Sequence, residues 1–164
     1  LVGLPTAQRA LAVPLLVVAS TAAAGIHAAV APPHLREQLL FGVFFLLVAC
    51  AQVTWSAALL HQPRRSLLVA GIVGNGVLLA VWVLTRVAGL PLGLMSERHP
   101  VGGWDVVCAL WELAVVVTCV RLLRSTTDEP EACPTWFEWH PTARGAAGAA
   151  AVTLVLLTLI GAHS

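Results

Sequence analysis

The chain holds six histidines, eight carboxylates and four cysteines. The informative ones lie inside or beside apolar stretches, where a polar group is costly and needs a reason to be there. Sorted by helical period, they fall into stripes. Ser20 and His27 are seven residues apart on the first stretch, and Asn75, Trp82 and Arg86 share a face of the third through steps of seven and four. Asp105, Cys108 and Glu112 share a face of the fourth through steps of three and four, with Cys119 continuing it, while the second stretch contributes Gln38 and Gln52. His34 and Glu37, three apart at a predicted helix start, point an imidazole and a carboxylate the same way; metal-binding bundles use Glu-x-x-His in the opposite order.

The chemistry this suggests is metal coordination. His27, His34, Glu37, Asp105 and Glu112 are the candidate ligands, Arg86 would balance surplus carboxylate charge, and Gln52, Asn75 and Cys108 would complete a polar surround. Mixed imidazole and carboxylate ligands suit Zn, Fe, Mn or Cu(II). Soft Cu(I) fits less well, because Met95 is the only methionine.

Each residue also has a plainer reading. His27 can be a hydrogen-bonded packing residue, Arg86 a structural ion pair with Asp105 or Glu112, and Gln52 and Asn75 interhelical hydrogen-bonding groups. His34 and Glu37 can be a solvated helix start, and the cysteines small apolar fillers, with no CxxC among them. Functional alternatives to metal uptake, sensing or delivery are a proton-coupled transporter or channel using Asp105, Glu112 and Arg86, a haem-carrying or metal-dependent membrane enzyme, and a structural subunit or homo-oligomer in a membrane complex. Only His27 clearly lies within the bundle, which disfavours bis-histidine haem. No HExxH, GxSxG or P-loop supports a particular reaction, so the balance leans away from an enzyme.

The elements that must position these side chains follow from hydropathy. Hydrophobic residues make up 59 % of the 164 and charged residues 10 %, too little charge to solvate a soluble surface. An all-α integral membrane bundle is expected, one domain over 1–164 with about five spans near 11–30, 34–61, 67–87, 104–123 and 145–160. None has the layout of a cleavable signal, so all are expected to stay in the bilayer. The first span is expected to close at Pro32 and Pro33. Four spans carry one polar stripe each and the fifth none, which predicts a four-helix, polar-lined core with a peripheral fifth helix. His27, Arg86 and Asp105 are expected near one surface, Glu112 about two turns below it, and Gln52 and Asn75 near the midplane.

With five spans, Arg9, Arg64, Arg65, Arg121, Arg124 and Arg144 lie on one side and Arg36, Arg86 and Arg98 on the other. The amino terminus is therefore expected in the cytoplasm and the carboxyl terminus outside a plasma membrane. His34, His99 and His163 fall on the outer side. A net charge of +1 with no basic patch gives no reason to expect nucleic-acid binding.

The run GIHAAVAPPHLREQLLFGVFF, with QVTW, GNGVLLAVW and TRVAGLPLG after it, resembles small uncharacterised multi-pass membrane proteins of high-GC Gram-positive bacteria. The likeness covers Gly25 to Arg124. It implies a helical membrane fold and carries no activity or catalytic residue with it.

Overall fold

The computed structural model describes residues 6–61, 63–88, 102–125 and 141–161. His99, His163, Met95 and Cys133, and the loops that hold them, lie outside the described residues. Among the described residues the elements are five helices: α1 (Thr6–Glu37), α2 (Leu39–His61), α3 (Arg65–Val87), α4 (Gly103–Arg124) and α5 (Pro141–Gly161). α2, α3, α4 and the Leu11–Glu37 part of α1 are each long and apolar enough to cross a membrane.

Their burial explains the arrangement. In α2 the buried positions are Gly42, Ala49, Gln52, Ser56 and Leu59, and in α4 they are Cys108, Glu112, Val115 and Cys119. Steps of three, four and seven define one inward stripe per helix. The opposite faces expose Leu39, Val43, Leu47 and Val53 on α2, Val69, Val73 and Val77 on α3, and Leu110, Leu113 and Val117 on α4. Water would not tolerate apolar faces of that extent; hydrocarbon does.

α1 occupies the centre. In its apolar window 61 % is buried, against 11–22 % for the other three, and it packs against α2, α4 and α5, while α3 packs mainly on α4. Alanine makes this possible: Ala19, Ala22, Ala23, Ala24 and Ala31 are all buried, so neighbouring backbones approach closely. α5 lays Ala146, Ala147 and Ala150 against Val18 and Ala22 of α1. Its place is peripheral, packed mainly on α1. Close approach is also required at Gly71 of α3, where a Cβ would fall 2.6 Å from the Trp55 ring and 3.1 Å from Cys119 Sγ.

The expected end of the first span at Pro32 is corrected by the structure. α1 runs through Pro14, Pro32 and Pro33 to Glu37. Each proline leaves one carbonyl four residues back without its helical donor. Ala28, four residues before Pro32 on the same face, is exposed, and the helix continues through both prolines. Two consequences matter for the site. His34 and Glu37 belong to the last turn of α1 rather than the first turn of α2, and His27 lies ten residues, or about 15 Å, from the helix end.

Candidate metal centre

Antiparallel alternation brings the later part of α1, the start of α2, the later part of α3 and the start of α4 to one end of the bundle. There they line a partly open cavity of about 100 Å³. α1 contributes His27, and α4 contributes Asp105, Cys108 and Glu112; the facing wall is Phe44 and Phe45 of α2 with Leu78, Val81 and Trp82 of α3.

Three side chains converge on one edge of this cavity. His27 Nε2 lies 3.0 Å from Glu112 Oε1, Cys108 Sγ lies 3.5 Å from the same nitrogen, and the thiol reaches Glu112 Oε1 at 3.9 Å. All three residues are buried, and their ligand atoms lie within 4.8 Å of one another. The group is able to hold a metal ion. Its local cause is simple: residues four apart on α4 stack on one face, and the alanines around His27 let α1 approach that face.

His27 and Glu112 therefore share one level. The expected two-turn difference in depth rested on a first span ending near residue 30; the extension of α1 to Glu37 removes it.

His34 and Glu37 are not brought to this group. The His34 Nδ1 atom is 2.7 Å from the Val30 carbonyl, which can only accept, so Nδ1 carries the proton and donates within its own helix. Phe45 also stands between the two histidines, stacked on His27 at 5.7 Å and edge-on to His34 at 4.8 Å. Glu37 is exposed.

Asp105 and Arg86 form a separate pair. Arg86 Nη2 donates to Asp105 Oδ2 at 2.5 Å, and the same oxygen accepts the Gly102 amide at the start of α4. A carboxylate in the first turn also complements the partial positive charge of the helix amino terminus. The guanidinium lies 5.8 Å over the Trp82 ring and donates through Nη1 to Thr85 Oγ1.

Gln52 and Asn75 lie in a second polar layer, seven residues along α2 and α3 from Phe45 and from Trp82. Ser20 Oγ donates to the Gln52 carbonyl at 3.2 Å, Gln52 Nε2 to Asn75 Oδ1 at 3.4 Å, and Asn75 Nδ2 to the Gly71 carbonyl at 2.9 Å. These are bonds between and within helices. Beyond them Val13, Leu16, Ala19, Leu59, Val115 and Cys119 pack with Trp55 into an apolar core that closes the other half of the bundle.

The place of Cys108 within the convergent group is the feature that sequence reasoning underweighted, assigning it to the polar surround. The signal was available: Cys108 and Glu112 are four apart, and His27 is the one histidine embedded among alanines. Comparison with family models, with curated proteins and with solved structures finds no match.

Proposed function

We propose that this chain is an intramembrane transition-metal-binding protein whose ligands are His27, Cys108 and Glu112. The observation that carries the proposal is the triangular convergence of three different ligand types in a buried position. For sides of 3.0, 3.5 and 3.9 Å, the product of the sides divided by four times the enclosed area gives a circumscribed radius of about 2.0 Å. That is the reach of a zinc ion, with Zn–N near ~2.0–2.1 Å, Zn–O near ~2.0–2.2 Å and Zn–S near ~2.3 Å. A thiolate beside an imidazole and a carboxylate favours Zn(II) over the harder Mn(II).

The same three residue types could be read as a nucleophile, base and orienting acid. In such a relay the thiol and the carboxylate approach opposite ring nitrogens of the histidine. Here both approach Nε2, so they form a triangle about a point and not a line. This favours coordination over nucleophilic catalysis.

The apolar core across the other half supports binding, sensing or delivery from one side more than a continuous pathway. Arginine distribution supports an outward-facing site with a cytoplasmic amino terminus. A proton-coupled carrier built on the His27–Glu112 pair is the competing reading; it requires flux into liposomes that is lost in Glu112→Gln.

Metal analysis of protein purified from zinc-supplemented cells tests the proposal. About one metal per chain is expected in the wild type and little in His27→Ala or Glu112→Ala. Full retention of metal in both variants would sink the site as drawn.

A further inference from the structure

We infer that a metal in this site keeps one exchangeable position, and that this position takes a small uncharged donor with an apolar body, of the imidazole type, in preference to an anion. The inference rests on the metal-site reading above and follows from where the ligands are and what they are charged with.

All three ligands come from α1 and α4. The wall they face is made by Phe44, Phe45, Leu78, Val81 and Trp82, none of which coordinates a metal, and the one further carboxylate of the lining, Asp105, is held by Arg86. Zinc sites with four protein ligands are closed and structural, whereas three ligands leave a fourth position for water or an exogenous group. The fourth position here opens on the cavity, because His27, Cys108 and Glu112 all line it. A volume of about 100 Å³ is two thirds of the ~150 Å³ of an apolar cavity that admits benzene, so a five-membered ring is near the upper limit of size.

Charge selects among the ligands that fit. A divalent ion bound by one thiolate, one carboxylate and one neutral imidazole carries no net charge. Arg86, whose partner Asp105 lines the cavity, forms a neutral pair with it and so adds no net positive charge to balance another negative group. An anion in the fourth position would leave an unbalanced charge among apolar side chains, which low-dielectric surroundings penalise heavily. A neutral nitrogen donor leaves the site neutral, and its carbon atoms meet Phe44, Leu78 and Val81.

Cobalt(II) substitution reads both claims in one sample. The detergent-purified full chain, stripped and reloaded with Co(II), is titrated separately with imidazole and with azide while the visible spectrum is recorded. A thiolate-to-cobalt absorption band shows the metal bound through Cys108; its absence from the wild type would overturn the metal site and this inference together. With the band present, imidazole is expected to shift the ligand-field bands saturably, at a concentration at least tenfold below any effect of azide. Azide binding as tightly as imidazole, or no response to either, would overturn the inference and leave the metal site standing. Val81→Phe, which fills the facing wall, is expected to keep the thiolate band and weaken the imidazole response at least tenfold; an unchanged response would overturn the cavity as the place of binding.

Discussion

Consider a double-mutant cycle on His27 and Glu112 in the metal-free protein. Glu112 is 3 % exposed and its Oε1 lies 3.0 Å from the imidazole. His27→Ala alone removes that partner and strands Glu112 in the bilayer interior, and breaking a buried pair from one side costs ~3–5 kcal/mol. Glu112→Gln alone keeps a neutral hydrogen-bonding group of the same shape and costs ~1 kcal/mol. The double variant loses the imidazole and its stack on Phe45 but strands no charge, so its loss is expected to fall short of the sum of the two singles by at least ~1.5 kcal/mol. In a chain of this length each kcal/mol moves the thermal midpoint by ~2–4 °C, so His27→Ala should melt ~6–20 °C below the wild type. The assay is thermal unfolding in detergent with a chelator present. Single-variant losses that add within ~0.5 kcal/mol would refute direct coupling of the two side chains.

Other expectations separate the convergent group from its surroundings. Cys108→Ser should abolish thiolate-to-metal absorption on Co(II) loading while the protein remains folded, as read by circular dichroism. Asp105→Ala strands Arg86, but the Asp105 side chain is 38 % exposed, so the cost should be only ~1–2 kcal/mol by thermal melting, with metal content unchanged. His34→Ala and Glu37→Ala should leave metal stoichiometry at the wild-type value, since neither residue reaches the site; loss of metal in either would reinstate the ligand set read from spacing alone.

Much of the fold is legible in the sequence because lipid-facing helices need long apolar stretches and the exceptions mark the interior. The stripes through Ser20 and His27, and through Cys108, Glu112 and Cys119, are the faces the structure buries. Pro32 and Pro33 defeat the same reasoning. Proline is read as a helix end, yet a membrane helix whose affected carbonyl faces outward passes through it, and so the assignment of His34 and Glu37 to the next helix fails with it. Spacing within one helix also says nothing about what enters between helices. Phe45 separates His27 from His34, and Arg86 draws Asp105 away from Glu112; both events are set by packing between chain segments far apart in sequence. The central place of α1 is written in its alanines, whose small side chains let neighbouring backbones approach closely.

X-ray absorption at the zinc edge of the purified wild-type chain bears most directly on the metal site. One sulfur at ~2.3 Å with nitrogen and oxygen neighbours at ~2.0–2.2 Å, at one zinc per chain, is the expected result. A zinc-free chain purified from zinc-supplemented cells, or a first shell without sulfur, would contradict coordination by His27, Cys108 and Glu112.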